Sequence, residues 1–447
     1  MTSLDAFLSP RGRSARMPEG IRVWGERAAR AGGLDATMGV VTVPPGILPG
    51  AGDVDSIAFL PEIRAAFGAW APAEVFPYAP VAGIRAFRER WRAWITGKAA
   101  AGGAPEGLES RLTLPVATAG VTGGLCAVGL LVLEPGERVL VPDRRWDGYD
   151  TTFGTVAGAR LEPVRLLDGA AWDVPAWERA LGALVEAQGR AVCVLNFPHN
   201  PTGFVPTEQE AEAFAAAAAR VAERTNGRVV AICDDAYEGF VYTDRPRGSI
   251  FYRLVDRHER LLPVKCDGIT KELLFWGGRL GAVTVALPGG WDAAEREAAA
   301  AAWESKLSAV VRGMISSAST AVQNLVARVL ADPDAVRAAR EPVLRLLAER
   351  REVTVAALET PAARRAFRPD PFHGGLFALL HLRVGDAIET AERLLAEDRI
   401  GLVPFRDPEA GLNALRVTYA TLPTDRIGEV IEVAARRATG DPPPAES

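Results

Sequence analysis

The middle of the chain alternates short, almost wholly apolar runs with longer stretches whose apolar residues return at helical spacing. The runs ERVLVPD, AVCVLNFP, RVVAICDD, LLPVKCDG and RLGAVTVALP are strand-like. Between the second and third lies TEQEAEAFAAAAARVAERTNG, apolar along one helical face and closed by Asn-Gly. Strands separated by helices predict parallel βαβ units with right-handed crossovers. Strands apolar throughout suit a sheet covered on both faces. From about residue 292 to about 360 the period is helical. GGLFALLHLRV (strand), DAIETAERLLAEDRI (helix), NALRVTYA (strand) and TDRIGEVIEVAARRA (helix) follow. The pattern predicts an α/β fold: a large domain over residues 51–325 with a mostly parallel sheet flanked by helices, and a smaller α+β domain over 326–440. Residues 1–50 read as an N-terminal arm and part of the small domain, and 441–447 as a disordered tail.

Composition narrows this picture. A chain of 447 residues is too long for one small core, and 48% apolar with 24% charged residues is ordinary for a soluble globular protein. A net charge of −5 without a concentrated basic patch argues against nucleic acid. The absence of a long apolar run and of a secretory leader argues against a membrane and for a cytoplasmic location. Cys126, Cys193, Cys233 and Cys266 form no C-x-x-C pair and read as reduced core residues. The four histidines lack ligand spacing, so no metal is expected. One count changes more: 47 of the 51 basic residues are arginine, and the lysines are Lys98, Lys265, Lys271 and Lys306. Arginine replaces lysine as a charge, but its guanidinium cannot capture a carbonyl as an amine can. Lys271, in DGITKELLFWGGRLG, is thereby marked for chemistry.

Five stretches at or after strand-like runs carry candidate chemistry, where open α/β sheets hold their ligands. ATAGVTGGL is a glycine-rich turn into an apolar helix, either a tight turn or an anion seat of backbone N–H groups and a threonine hydroxyl. In RRWDGYD, Trp146 could pack in the core or stack on a planar ligand. In NFPHNPTGF, Pro and Gly fix the backbone while Asn200 offers an amide. In CDDAYEGF, Asp234 ends an apolar strand and needs a cationic partner, and Tyr237 follows with a phenol. Arg279, eight residues after Lys271, is flanked by small residues that leave room for a bulky anion. An amine for an aldehyde, a carboxylate for a ring nitrogen, a phenol and amide for a ring hydroxyl, and an anion seat together match pyridoxal 5′-phosphate.

The order AGVTGGL, RWDGY, NFPHNPTG, DDAYEGF, ITKELLFWGGRLG, ALRVTYA resembles the aspartate aminotransferase branch of the fold-type I, class I/II aminotransferases, from about residue 37 to 435. The resemblance implies that Lys271 binds the cofactor aldehyde and then moves the substrate α-proton. It implies that Asp234 pairs with the ring nitrogen, that Tyr237 and Asn200 contact the ring oxygen, and that Trp146 stacks on the ring. Gly120, Val121, Thr122, Thr270 and Arg279 would hold the phosphate. Arg416 would take the substrate carboxylate as a bidentate fork, with Gly39 beside it and Asn200 and Trp146 also facing the substrate. Tyr78 would reach the phosphate of a neighbouring subunit, which implies a homodimer with shared sites. Arg312 matches the partner-subunit arginine of dicarboxylate transaminases, or is a helix-surface charge. The implied reaction is ping-pong transfer of an amino group from an L-amino acid of aspartate or aromatic type to a 2-oxo acid, 2-oxoglutarate above all. The same scaffold also hosts β-lyases and decarboxylases. Three features depart from the family pattern: Gly268 replaces a common serine, Asp235 a small residue, and the run ELLFWGG follows the lysine.

Overall fold

The computed structural model describes residues 18–440 apart from 50–55, 69 and 409. The expected tail lies outside the described residues. Seven strands form the large sheet: β1 (Val116–Thr118), β2 (Arg138–Pro142), β3 (Arg160–Val164), β4 (Arg190–Leu195), β5 (Arg228–Asp234), β6 (Leu261–Gly268) and β7 (Gly281–Val285). Their spatial order is β1-β7-β6-β5-β4-β2-β3. Neighbours from β6 to β3 pair parallel, as their apolar character predicts. The run expected to close the parallel series, β7, is instead antiparallel to both β6 and β1. The link 269–280 turns back beside β6 without crossing a face of the sheet, so the strand must return in the opposite sense.

Helices cover the sheet: α2 (Arg85–Lys98) precedes it, α3 (Gly120–Val132) follows β1, α4 (Val174–Gln188) precedes β4, and α5 (Glu208–Thr225) joins β4 to β5, while α1 (Ile21–Ala31) packs on the smaller unit. The amphipathic stretch forms α5 for legible reasons. Thr207 accepts from the Glu210 N–H at 3.0 Å while Glu210 accepts from the Thr207 N–H at 2.6 Å, and Asn226 ends the helix at φ 55°. The short α6 (Ile269–Glu272) carries Lys271, and α7 (Ala293–Ile315), α8 (Thr320–Val329) and α9 (Pro333–Leu358) form the helical block.

A second sheet of β8 (Phe367–Pro369), β9 (Ala378–Leu382), β10 (Val403–Asp407) and β11 (Leu412–Val417) is antiparallel in the order β8-β9-β11-β10. It packs with α10 (Ala387–Glu397) and α11 (Ile427–Thr439) around its own apolar cluster. Leu34–Asp35 pairs parallel with Ile400–Gly401, which ties the N-terminal segment to this smaller unit. The helix α9 joins both cores: Val336, Val343 and Leu347 lie in the larger, Leu358 in the smaller. The Asn-Pro-Thr-Gly turn is where the two units touch. Gly203, at φ +79°, passes so close to the second unit that an added Cβ would lie 2.5 Å from the Phe377 carbonyl oxygen. Its own carbonyl accepts from the His373 N–H at 2.8 Å.

Candidate active site

The C-terminal ends of β1, β4, β5 and β6 and the inner edge of the second sheet enclose a cavity of about 270 Å³. Eleven of the predicted residues line it: Gly39, Val121, Thr122, Trp146, Asn200, Asp234, Tyr237, Thr270, Lys271, Arg279 and Arg416. Gly120 lies just behind the wall, where a Cβ would stand 3.0 Å from the Arg279 guanidinium. Tyr78 and Arg312 do not line the cavity of their own chain. Tyr78 is 91% exposed, and Arg312, in the last turn of α7, donates to Ser316 Oγ at 2.9 Å.

Asp234, the last residue of β5, is buried at the cavity floor. Tyr149 donates its hydroxyl to Oδ2 at 2.7 Å, and the Ala236 N–H reaches Oδ1 at 3.3 Å. Burial raises its pKa, against the opposing pull of the Tyr149 hydroxyl and the Lys271 charge. Among the described residues no cation forms an ion pair with it. Asn196, where β4 ends, donates to the Asp234 carbonyl at 2.7 Å and accepts from the Asn200 N–H at 2.9 Å. One amide thus sets the distance between two neighbouring strand ends.

Arg416, in β11, presents the opposite problem. It is buried; Nη1 donates to Asn200 Oδ1 at 2.9 Å, Nη2 to the Thr37 carbonyl, and Nε has no partner. Its guanidinium carbon sits 4.3 Å from the Phe377 ring centroid. Burial lowers its pKa to about 10, a change opposed by Tyr237 and Asp147, and no carboxylate forms an ion pair with it among the described residues. A buried carboxyl and a buried guanidinium therefore face one cavity, neither with an ion-pair partner among the described residues, so each offers a place for an opposite charge on a ligand.

Between them, the Lys271 ammonium lies 4.7 Å from the Tyr237 ring centroid, with Tyr237 edge-on to Phe377. Arg279 donates to Thr270 Oγ1 at 3.3 Å and to the Trp276 carbonyl at 3.2 Å, beside the N-terminus of α3. Helix end, hydroxyls and guanidinium together make an anion seat. Trp146, at the other wall, packs edge-on against Tyr149. These features fit pyridoxal phosphate: a floor carboxylate for a ring cation, an anion seat, and an amine between.

Sequence reasoning missed Tyr149, Phe377 and Trp276 as site residues. Tyr149 stands three residues after Trp146 in the quoted stretch, a spacing that could have marked it. Trp276 donates to the Gly39 carbonyl at 3.0 Å, so part of the ELLFWGG run is cavity wall. Phe377 reads in sequence as an ordinary core residue, and only the fold brings it under Arg416.

Gly268 also has a reason. An added Cβ would lie 2.8 Å from the Leu280 carbonyl oxygen and 2.9 Å from Gly281 Cα, and Gly281 in turn abuts Gly120. The serine common at this position in the family would collide with backbone. The grouping nearest to a metal site among the described residues is Glu238, Asp267 and Glu272, with carboxylate oxygens within 4.8 Å of one another. Lys98 and Lys265 already supply counter-charge there.

Comparison with known proteins gives the same outline. The description "Aminotransferase class I and II" matches residues 57–433. The chain belongs to this family. It is 26% identical to an aspartate aminotransferase of Thermotoga maritima, over 71% of this chain and 73% of that one. It is 36% identical to the Mycobacterium tuberculosis protein named "Probable N-succinyldiaminopimelate aminotransferase DapC", a match that spans only 28% of this chain and 29% of its relative. In fold, this aminotransferase-family chain resembles the Pyrococcus horikoshii kynurenine aminotransferase solved with PMP, with a TM-score of 0.76, 19% identity and 98% of each chain covered. No helix among the described residues is long and apolar enough to cross a membrane.

Proposed function

We propose that the chain is a pyridoxal-phosphate-dependent aminotransferase acting between an L-amino acid and a 2-oxo acid. The observation that carries the reading is the placing of Asp234 and Arg416, two buried groups of opposite charge without ion-pair partners among the described residues, around the one cavity that holds Lys271. When bound, the cofactor supplies an electron sink for the carbanion formed at the substrate α-carbon. Asp234 would keep its ring nitrogen protonated, with Tyr149 orienting the carboxylate. Val121, Thr122, Thr270 and Arg279 would hold its phosphate, and Tyr237 and Asn200 its ring oxygen. Arg416 would hold the substrate carboxylate, with its unpartnered Nε free to turn toward it. Lys271 would then be placed to take the proton from the α-carbon and return it to the cofactor. One cavity with one carboxylate arginine must serve donor and acceptor in turn, which supports ping-pong kinetics.

For the substrate side chain, the cavity offers Ile21, Met38, Val40, Trp276 and Phe377. That wall favours an aromatic or large apolar amino acid over aspartate, with 2-oxoglutarate as the acceptor to try first. Residues 51–325 would carry the cofactor and the flanking segments the carboxylate grip. Exposed Phe67, Phe76 and Tyr78, at 60%, 81% and 91%, support a homodimer in which Tyr78 and Arg312 serve the neighbouring site.

The test is to load purified protein with pyridoxal phosphate, then mix it with single amino acids and follow the cofactor absorbance. The spectrum should change with aromatic amino acids and revert with 2-oxoglutarate. Lys271→Ala should lower turnover by about 10²–10⁴-fold or more. Pyruvate and ammonia released without an acceptor would instead favour a β-lyase.

A further inference from the structure

Two departures from the family pattern, Asp235 and the acidic residue after Lys271, meet in one buried cluster behind the cavity. Lys265, in β6, is fully buried and donates to Asp235 at 2.5 Å and Glu238 at 2.7 Å, with Asp267 3.9 Å away. Lys98, at the end of α2, donates to Glu238 at 2.7 Å and Glu272 at 2.5 Å. From the same helix, the Trp91 and Trp94 indoles donate to Asp267 at 2.8 Å and Glu272 at 2.7 Å. Ser249 donates to Asp235 at 2.8 Å. Arg340 of α9, buried and with Nε and Nη2 lacking hydrogen-bond partners, adds a third cation whose charge acts on Glu272 and Glu238.

The order along the chain is what gives the cluster meaning. Three cavity residues at these strand ends have a chain neighbour in the cluster: Asp234 beside Asp235, Tyr237 beside Glu238, Lys271 beside Glu272. In β6, alternation turns Lys265 and Asp267 to the cluster and Cys266 to the other face. A buried ion network is a poor source of stability compared with apolar packing, but it fixes distances tightly. The compact ammonium of lysine fits between two carboxylates where a planar guanidinium would demand a wider fork.

We propose that this cluster is the mount of the active site: Glu272 and Asp235, clamped by Lys98 and Lys265, are positioning residues that hold Lys271 and Asp234 in register. The proposal rests on the reading of Lys271 as the cofactor-bearing amine. It is tested in the full chain loaded with pyridoxal phosphate, comparing wild type, Glu272→Gln, Lys98→Met and the double variant. Each single change should lower kcat about tenfold or more, leave KM within about threefold, and move the pH midpoint of the cofactor absorbance. Glu272 and Lys98 act through one contact, so the double variant should lose no more than the worse of the two single variants. Wild-type kcat and absorbance midpoint in both singles, with only the melting temperature lowered, would reduce the cluster to a structural part. Losses that simply multiply in the double variant would also overturn the proposal. If Glu272→Gln does not fold, Lys98→Arg, which keeps the charge and loses the compact ammonium, is read the same way. A wild type that develops no absorbance band, unaltered by Lys271→Ala, would instead defeat the reading of Lys271 itself.

Discussion

A carboxyl group with no exposed surface titrates on terms set by its neighbours, and Asp267 is the sharpest case in this chain. Burial raises its pKa to about 7, against the pull of Lys265 and Lys98 and despite the Trp91 hydrogen bond, while Glu272 adds to the rise. In the unfolded chain the same group titrates near 3.9, about the usual aspartate value. Between about pH 4 and 7 the folded protein therefore holds a proton that the unfolded chain has lost. Asp267's contribution to stability falls as pH rises through that window, by up to about 1.4 kcal/mol per pH unit. His199 and His373, lowered by burial to about 3 and about 4, act with the opposite sign below about pH 6.5. Comparison of wild type with Asp267→Asn cancels the histidines. Urea unfolding at about pH 5 and about pH 7 should show wild type losing stability relative to the variant, and equal pH dependence would sink the assignment. At this scale the sequence was only partly legible. The scarcity of lysine marked Lys271, but it marks Lys98 and Lys265 equally, and those serve the buried cluster. Residue type shows that an ammonium was chosen; it does not show whether the ammonium faces a cavity or a carboxylate, which only tertiary packing decides.

At the scale of elements, β6, β7 and the start of α3 nest without side chains. Gly268 pairs with Gly281 across the strands, and Gly281 presses on Gly120. Gly268→Ser, although it brings the common family residue, should destabilise the chain by about 1–3 kcal/mol through overpacking and should not tighten cofactor binding. A urea midpoint at or above wild type, or a lower cofactor Kd, would refute this. Strands β2, β4, β5, β6 and β7 were legible because apolar runs bounded by glycine and proline need no tertiary information, whereas β3, with Glu162 and Pro163 inside it, offers no such run. The reversed sense of β7 was not: hydrophobic pattern is blind to direction, and the link 269–280 decides it. Asn200, Asp234, Lys271 and Arg416 were readable from their stretches. Phe377 was not, because its importance comes from lying under a guanidinium contributed by a strand far along the chain.

For the whole molecule, the long helix α7 buries only Leu307 and Val311 fully, while Met314 and Ile315 at its end stay 38% and 37% exposed. Phe67, Phe76 and Tyr78 are likewise large apolar side chains left to water in the single chain. Light scattering should give twice the chain mass, and Phe76→Asp should shift the protein toward single chains with loss of activity. Full activity of wild type as a single chain would remove the shared-site reading of Tyr78 and Arg312.

The economy of lysine has a practical side. Of four side-chain amines, Lys265 is sealed in the interior and Lys98 is 15% exposed and clamped, which leaves Lys306 on the surface and Lys271 in the cavity. An amine-reactive acylating reagent applied to a Lys306→Arg variant would thus become, apart from the chain's terminal amine, a nearly site-directed label. The cavity could be titrated by mass, one adduct at a time, with any ligand that occupies it read out as protection.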